Sequence, residues 1–465
     1  MISRRTFLQT AGIAPLVFGQ MATKPNLVFL FTDDQRFSTL HAINNPDVAT
    51  PNMDRIAARS TVFEKAFIMG GTIGAVCAPS RAMLITGQTL FNVTDSIVDP
   101  KQNNRTPKPF HMWPEELRNN GYTTVGIGKW HNGPKLYSRC FSNGGPIMFG
   151  GMSDHLKVPV QDYDPSSEYP LKRTYTGKKF SSELFADSAI QFLERQGDGA
   201  FAMYVAFTAP HDPRMAPQRF KDMYPANKIK LPGNFLPEHP FDNGEMKIRD
   251  EALLGWPRTE QAVKQEIADY YAMITEVDEQ IGRILDTLEK TGKDQNTILI
   301  FAADNGLAVG QHGLLGKQNL YDHSIRVPLM IAGPGLPKGK KSNALVYLLD
   351  LFPTLFDLMG LNTPATVEGK SLAPILKGET NSVRDSIFVA YRGLMRALRD
   401  QDWKWIEYNV NGKRTLQLFN LAIDPLEKSN LAQLPANEAR IKKMKSLLKH
   451  WMKEVNDPQM SSFGS

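Results

Sequence analysis

The sequence has 465 residues, of which 42% are apolar and 22% are charged, a globular composition that excludes a disordered, collagenous or coiled-coil protein. Its 54 lysines and arginines exceed its 48 acidic residues to give a net charge of +6, which favours anionic partners without identifying one. Only two cysteines are present, Cys77 and Cys140, so a disulfide framework is excluded, and no apolar run reaches the roughly 18 residues of a membrane-spanning helix.

The first twenty residues predict an export signal. Arg4 and Arg5 precede an apolar stretch at residues 11–18 that is too short to span a bilayer. The run Ser3-Arg-Arg-Thr-Phe-Leu resembles a twin-arginine signal, the alternative being a chance arginine pair in an N-terminal helix. We therefore expect the twin-arginine export machinery to carry the protein to the periplasm or the exterior of a bacterium.

Strand-like and helix-like segments alternate through most of the chain. Five apolar runs predict strands, at residues 26–32, 122–127, 201–207, 297–302 and 328–332. Helical patterns lie at residues 52–60, 114–119, 182–195, 260–290 and 345–358. This alternation predicts an α/β fold with a large, mostly parallel sheet sandwiched by helices.

From about residue 382 the pattern changes to short strands, predicted at 386–391, 403–408 and 415–419. The turn Asn411-Gly412 between the last two is a strong hairpin signal. A basic amphipathic helix follows, and its apolar stripe consists of Ile441, Met444, Leu448 and Trp451. We interpret it as a terminal helix docked on the domain, the alternative being a helix that binds nucleic acid or a membrane surface.

The predicted organisation is a signal peptide at residues 1–20, a main α/β domain at 21–380 and a C-terminal subdomain at 381–465. The last of these combines a small antiparallel sheet with the terminal helix. We expect no nucleic-acid partner and no stable insertion into a membrane.

Polar side chains follow four of the predicted strands. In chain order they are Asp33 and Asp34, then Lys129 and His131, then His211, then Asp304 and Asn305. Because the carboxyl ends of parallel strands meet at one edge of a sheet, we expect these groups to converge on a single site.

The two acidic pairs predict a metal site, since their oxygens suit Ca²⁺ or Mg²⁺ better than zinc. Taken separately, each pair is also typical of an ordinary turn at a strand end. The remaining groups are cationic or donate protons, and with Lys317 they complete a set comprising Lys129, His131, His211 and Lys317. A metal with such groups suits a multiply charged oxyanion, either sulfate or phosphate.

The segment Cys77-Ala-Pro-Ser-Arg81 is a candidate nucleophile site. We expect Pro79 to begin a helix that ends at Gly87, which puts Cys77 at the positive end of the helix dipole. Arg81 lies one turn further and could fold back towards Cys77. A lone cysteine is usually a small buried hydrophobe, but the flanking proline and arginine argue for a functional one.

Cys77-Ala-Pro-Ser-Arg81, with the downstream Leu84, Thr86 and Gly87, resembles the signature of type I sulfatases, in which the cysteine is oxidised to formylglycine. Further segments resemble that family in the same order, namely 26–34, Gly128-Lys-Trp-His-Asn-Gly133, Pro210-His211, Asp304-Asn305-Gly306 and Gly313-Leu-Leu-Gly-Lys317. Asn132 departs from the family, in which leucine is commoner. The resemblance implies an alkaline-phosphatase-like fold and hydrolysis of sulfate esters with Ca²⁺.

The resemblance also implies a role for each residue. Asp33, Asp34, Asp304 and Asn305 would hold the metal, together with the formylglycine at position 77. Its hydrate would offer two hydroxyls, one to attack sulfur and one to expel sulfate later. Such a residue implies a formylglycine-generating maturation enzyme as a partner.

The remaining roles concern the substrate. Arg81 and His131 would orient the hydrated aldehyde. Lys129 and Lys317 would hold the sulfate oxygens. His211 would protonate the departing alcohol.

We expect the substrate to be a sulfated carbohydrate, as in polysaccharide degradation. Two long loops, at residues 133–179 and 212–258, should wall the pocket. Their candidate recognition residues are Lys172, Arg173, Lys178, Lys179, Arg214, Arg219, Tyr163, Tyr175 and Trp256. Two alternatives stay open, a phosphonate monoester or phosphodiester hydrolase of the same superfamily and a sulfated-glycan-binding protein with an unmodified Cys77.

Overall fold

The computed structural model describes residues 24–43, 45–99 and 108–464. The predicted signal peptide at residues 1–20 lies outside these ranges. Within the described ranges, no helix is both long and apolar enough to cross a membrane.

The strands of the described residues are β1 Asn26–Thr32, β2 Thr61–Phe67, β3 Gly70–Gly71, β4 Thr123–Lys129, β5 Asn143–Met148, β6 Pro159–Val160, β7 Tyr175–Thr176, β8 Phe201–Ala206, β9 Thr297–Ala303, β10 Arg326–Val327, β11 Leu329–Ala332, β12 Lys340–Tyr347, β13 Ile387–Tyr391, β14 Met395–Arg399, β15 Trp403–Val410 and β16 Lys413–Asn420. The α-helices are α1 Pro51–Ala58, α2 Cys77–Thr86, α3 Leu90–Val93, α4 Trp113–Asn119, α5 Pro134–Cys140, α6 Ser181–Arg195, α7 Gln218–Lys221, α8 Glu260–Lys290, α9 Asp322–Ile325, α10 Leu351–Met359, α11 Ala373–Leu376 and α12 Glu438–Glu454. Short 3₁₀ segments join several of them.

The large sheet has the strand order β10-β2-β11-β9-β1-β8-β4-β5, and β12 also pairs with β2. Strands β9, β1, β8, β4 and β5 form a continuous parallel block. The predicted α/β fold with a mostly parallel sheet is therefore confirmed.

Alternate side chains of β1 face two helical layers. Leu27, Phe29 and Phe31 pack in a cluster with residues of α2, α4 and α10. Val28 and Leu30 pack on the other face with residues of α1, α6 and α8. A strand that is buried on both faces requires an unbroken apolar run, which is why this element was recognisable in the sequence.

The predicted strand at residues 328–332 is observed as β11, which is antiparallel to both β9 and β2. Between β9 and β11 the chain forms the four-residue helix α9 and the two-residue strand β10, which is also antiparallel to β2.

The predicted helix at residues 345–358 is wrong in its first part. Leu345, Val346 and Tyr347 end strand β12 and pair in parallel with β2. The Asp350 carboxylate accepts a hydrogen bond from the Tyr347 N–H at 2.7 Å, and α10 begins only at Leu351. Apolar spacing did not distinguish a buried strand end from a helix here.

The second sheet has the order β16-β15-β14-β13-β3. Asn411 and Gly412 both have positive φ angles, of 51° and 80°, and form the predicted hairpin turn between β15 and β16. The edge strand β3 was not predicted, and it pairs in parallel with β13. Gly70 of β3 has a φ of 94°, and a Cβ there would lie 2.0 Å from the Ala390 carbonyl oxygen, so only glycine permits this pairing.

The terminal helix α12 packs on this sheet as expected. Met444, Leu448 and Met452 are fully buried, and Ile441 and Trp451 are half-buried. Its lysines at positions 442, 443, 449 and 453 are exposed.

Candidate active site

The predicted polar groups meet at the carboxyl edge of the parallel block. Asp33 and Asp34 follow β1, Lys129 ends β4, and Asp304 follows β9; His211 follows β8. All five side chains are at least 95% buried. The expected convergence of these residues is thus observed.

Cys77 is the first residue of α2, so the helix begins two residues before Pro79, where it was predicted to start. The helix ends as expected at Gly87, which has a φ of 65°, and every residue of α2 is buried. Proline is tolerated in the first turn because its missing N–H would have no helical partner there.

The Cys77 thiol faces the acidic groups. Its Sγ lies 3.4 Å from Asp33 Oδ1 and 3.9 Å from Asp34 Oδ1. Burial raises the pKa of this thiol, and the charges of Asp304 and Asp33 raise it further. An unmodified Cys77 therefore stays protonated and is a poor nucleophile.

The acidic residues are linked to one another. The Asp34 N–H donates to Asp304 Oδ1 at 3.0 Å, and Asn305 Nδ2 donates to Asp34 Oδ1 at 2.5 Å. Burial raises the pKa of Asp304 to about 6, with a further contribution from Asp33. Burial also favours the neutral form of Asp34, but the charges of Lys317 and His211 outweigh it and lower the pKa of that carboxyl.

The site offers a set of metal ligands. One ligand atom from each of Asp33, Asp34, Cys77 and His211 lies within 4.8 Å of the others. Asn305 Oδ1 is buried and has no hydrogen-bond partner among the described residues, so it is a free acceptor at the same place. The carboxylates of Asp33 and Asp34 and the amide oxygen of Asn305 are hard donors that fit a divalent cation such as Ca²⁺. Asp304, also a predicted ligand, is linked to this group because its Oδ1 accepts a hydrogen bond from the Asp34 N–H.

Two lysines neutralise carboxylates of this cluster. The Lys129 ammonium forms a short ion pair with Asp33, and both side chains are fully buried. Lys317 Nζ lies 2.7 Å from Asp34 Oδ1 and 2.9 Å from Cys77 Sγ. Burial alone would lower the pKa of Lys317, but the charge of Asp34 outweighs it and raises that pKa well above its usual value, so this ammonium stays charged.

Arg81 is buried behind the same cluster. Its Nε donates to Asp304 Oδ2 at 2.9 Å, and its Nη1 donates to the Lys129 carbonyl oxygen at 2.8 Å. The sequence suggested that Arg81 could fold back towards Cys77. In the structure its hydrogen bonds go instead to the ends of β4 and β9, where they hold Asp304 and Lys129 in place.

The two histidines lie beside Cys77 in one cavity. His131 has a φ of 61°, and its buried Nδ1 has no partner among the described residues. His211 Nδ1 lies 2.7 Å from the Asp212 carbonyl oxygen, and its Nε2 lies 3.5 Å from Asp34 Oδ2. Burial lowers the pKa of His211 to about 4, so its ring is neutral near pH 7 in the absence of an anion.

The cavity has a volume of about 250 Å³, and Cys77 is one of the residues that line it. Both long loops wall it, as predicted. The loop at 133–179 contributes Gly151 and Met152, and the loop at 212–258 contributes Ile248, Arg249 and Asp250.

The residues expected to recognise a substrate do not line this cavity. Several of the basic ones are engaged in ion pairs elsewhere, namely Arg173 with Asp164, Lys179 with Glu183, Arg214 with Glu266 and Arg219 with Glu279. From the two long loops, the basic residue that lines the cavity is Arg249, which pairs with both Asp212 and Asp250. No sequence pattern marked Arg249, because its partner Asp212 lies 37 residues away.

The chain is similar to known proteins over most of its length. The sulfatase family model matches residues 25–361, and the model of the N-sulphoglucosamine sulphohydrolase C-terminal region matches residues 310–454. An N-acetylglucosamine-6-O-sulfatase of Bacteroides thetaiotaomicron is 26% identical over 514 aligned positions, covering 93% of this chain and 87% of that protein.

Solved structures share the fold. A protein in complex with its substrate D-glucosamine-2-N,6-O-disulfate has a TM-score of 0.78 and 24% identity, over 95% of this chain and 100% of that chain. The phosphonate monoester hydrolase of Agrobacterium radiobacter has a TM-score of 0.74 and 22% identity, over 92% and 96% of the two chains.

Proposed function

Because this chain belongs to the sulfatase family and is a sulfuric ester hydrolase, we propose that it removes sulfate from a sulfated saccharide. The observation that carries the proposal is the position of Lys317, which lines the cavity and whose ammonium lies 2.7 Å from Asp34 Oδ1 and 2.9 Å from Cys77 Sγ. A charged donor there suits the oxygens of a sulfate group.

The nucleophile in this proposal is a formylglycine made from Cys77. The raised pKa of the buried thiol supports it, because an unmodified cysteine here is held in its unreactive form. When present, the hydrated aldehyde supplies one hydroxyl that attacks sulfur and a second that later expels sulfate. A formylglycine-generating enzyme is therefore proposed as the maturation partner.

The metal in this proposal is Ca²⁺, held by Asp33, Asp34, Asp304 and Asn305 with residue 77. The unpartnered Asn305 Oδ1 and the close carboxylates support this set. When bound, the ion withdraws charge from the sulfate oxygens as the ester reacts.

The side chains around the cavity have distinct tasks. Lys129 and Lys317 hold sulfate oxygens through their ammonium groups. Arg81 keeps the Asp304 carboxylate in position through their 2.9 Å contact, and His131, which lines the cavity together with residue 77, would orient the hydroxyls of the hydrated aldehyde.

His211 serves as the general acid. An anionic ester bound beside its ring favours the protonated form, which counters the effect of burial on its pKa. The Asp212 carbonyl oxygen accepts from Nδ1 and so orients the ring, leaving Nε2 to protonate the departing alcohol.

The saccharide part of the proposal rests on cavity size and on the relatives. A volume of about 250 Å³ lies just below the range of about 300–1,000 Å³ that is typical of small-molecule sites, so it suits a ligand no larger than one sulfated sugar unit. A curated relative is named for a sulfated amino sugar, which supports a substrate of this class.

The test is a turnover screen with metal-loaded enzyme. We expect sulfate release from sulfated monosaccharides or oligosaccharides to exceed turnover of an aryl sulfate, a phosphodiester and a phosphonate monoester. Efficient turnover of the phosphonate with no sulfate release would overturn the proposal in favour of the phosphonate hydrolase. Turnover of the aryl sulfate alone would leave a sulfatase that does not act on sugars.

The proposal extends to location and organisation. We propose that residues 1–20 direct twin-arginine export, that the enzyme works in the periplasm or outside the cell, and that its catalytic domain spans residues 21–380. Residues 381–465 form the subdomain that closes the second sheet in this scheme. N-terminal sequencing of the exported protein tests the first part.

A further inference from the structure

A second cavity of about 640 Å³ shares no lining residue with the catalytic one. It forms where the turn after β1, the middle of α8, the segment around β10 and the segment at 425–427 meet. Its volume falls within the range of about 300–1,000 Å³ that is typical of small-molecule sites.

Arg36 is an unpaired cation in the wall of this cavity. Its side chain is only 4% exposed, and its Nε and Nη1 atoms have no hydrogen-bond partner among the described residues. The guanidinium rests on the Tyr270 ring, with 5.3 Å from Cζ to the ring centroid. A buried charge without a counter-ion is costly, so such groups are normally paired in proteins.

Arg326 is a second guanidinium in the same wall. Its Nε donates to the Glu64 carbonyl oxygen at 2.6 Å, and its Cζ lies 3.8 Å from the centroid of the Phe37 ring. Among the described residues it forms no ion pair with a carboxylate. Burial lowers the pKa of Arg326 to about 10, although Asp322 acts in the opposite direction.

The acidic residues of the cavity are already neutralised. Asp322 accepts from Arg399 at 2.6 Å and from Lys404 at 2.9 Å. Lys404 also pairs with Glu427 at 2.7 Å. The third acid, Asp47, pairs with Lys230 at 3.3 Å. The two guanidiniums are therefore in excess, and the cavity carries unbalanced positive charge.

We propose that this cavity is a second oxyanion-binding site, which binds a sulfate group through Arg36 and Arg326. Guanidinium groups present paired N–H donors that match sulfate oxygens. The sulfate can come from two sources, the inorganic ion that the reaction releases or a sulfate on a saccharide. Because the cavity is much larger than the ion, it has room for a sugar ring beside the anion.

The test measures binding rather than turnover, because Arg36 follows Asp34 by two residues and a change there can disturb catalysis. The full chain carries Cys77→Ala and Lys317→Ala, which remove the nucleophile position and a sulfate-holding lysine from the catalytic site. Sodium sulfate is titrated by calorimetry at constant ionic strength. We expect one bound sulfate, with an affinity that falls at least about tenfold on adding Arg36→Gln or Arg326→Gln.

The matched control is Arg219→Gln, which removes an equal charge from an exposed arginine paired with Glu279. It should leave the affinity unchanged. If Arg36→Gln does not fold, as judged by circular dichroism, Arg326→Gln at the less buried position decides the outcome. The absence of sulfate binding in the background chain, or an unchanged affinity in both folded variants, would overturn the proposal.

A second titration with glucosamine 6-sulfate separates the two sources. Tighter binding than that of inorganic sulfate assigns the site to a saccharide-borne group, and equal or weaker binding assigns it to the free ion. If the catalytic proposal is wrong, the chain without these substitutions will fail to release sulfate from a sulfated saccharide in the turnover screen. These titrations are independent of that result.

Discussion

The Nζ atom of Lys317 lies 2.9 Å from the Sγ atom of Cys77, although the two residues are 240 positions apart in the chain. The loop before Lys317 is held by Glu251, whose carboxylate accepts from the N–H groups of Leu315 and Gly316 at 3.0 Å and 2.8 Å. Glu251 is itself buried and paired with Arg258 at 2.5 Å. A carboxylate outside the cavity thus determines where the ammonium lies.

Glu251→Gln should lower activity although it leaves every residue of the catalytic site in the sequence unchanged. The amide cannot accept from two N–H groups and pair with Arg258 equally well, so Lys317 should be less well placed. We expect kcat to fall by about tenfold, since loss of a charged hydrogen bond costs about 1.5–3 kcal/mol. Glu260→Gln, an exposed change at the start of α8, is the control for sulfate release. Equal rates in the two variants would show that Glu251 does not position Lys317.

Cys77→Ala should abolish sulfate release, because the formylglycine can no longer form. Cys140→Ala is the matched control, since Cys140 is equally buried but packs beside Met112 away from the cavity. Mass spectrometry of the peptide that contains residue 77 should find the aldehyde in active protein. Full activity with an unmodified thiol at that position would contradict the mechanism.

Asp304→Asn should remove the bound metal and most of the activity. The change keeps the shape of the side chain but removes the charge that faces Arg81 at 2.9 Å. Because breaking a buried ion pair costs about 3–5 kcal/mol, we also expect a lower midpoint of thermal unfolding. Metal content by plasma mass spectrometry is the first readout. Chelated, metal-free enzyme that turned over normally would refute the metal site itself.

Glu276 should make the fold less stable as the pH rises. Burial raises the pKa of this carboxyl to about 8, and one of its oxygens has no partner among the described residues. The folded chain therefore holds the proton more tightly than the unfolded chain. Below the pKa that Glu276 has in the unfolded chain, its whole contribution to the free energy of unfolding is present. As the pH rises from there to the pKa in the folded chain, this contribution is lost.

Glu276→Gln should remove this dependence. The midpoint of thermal unfolding of the variant, relative to the parent, should increase between about pH 5 and pH 8. Glu260→Gln on the same helix is exposed and should show no such trend. A constant difference between Glu276→Gln and the parent at all pH values would mean that Glu276 is ionised in the folded chain.

Local patterns predicted the elements that position the site. Strand β1 and helix α8 were correct to the residue, because a doubly buried strand and a long amphipathic helix each impose a period on the sequence. The polar residues at strand ends could be grouped for the same reason, since parallel strands deliver their ends to one edge.

The features that the sequence did not predict depend on contacts between residues that are far apart in the chain. The segment at residues 70–71 has no apolar pattern and becomes strand β3 only because β13 pairs with it. Arg249 and Glu251 acquire their places from Asp212 and from the loop before Lys317, contacts that span 37 and 65 residues. Likewise, Arg173 and Arg219 were candidate recognition residues in the sequence, but in the structure they form ion pairs with Asp164 and Glu279 away from the cavity.

The pairing of β3 with β13 limits the time during which residue 77 is accessible as the protein is made. Strand β3 lies just before Cys77, whereas β13 leaves the ribosome only after most of the chain has been synthesised. Until then the start of α2 lacks its neighbouring strand; afterwards Cys77 is only 2% exposed. If residue 77 is converted to formylglycine as proposed, the maturation enzyme has to reach it before this strand pairing forms, and protein that folds with an unmodified Cys77 stays inactive.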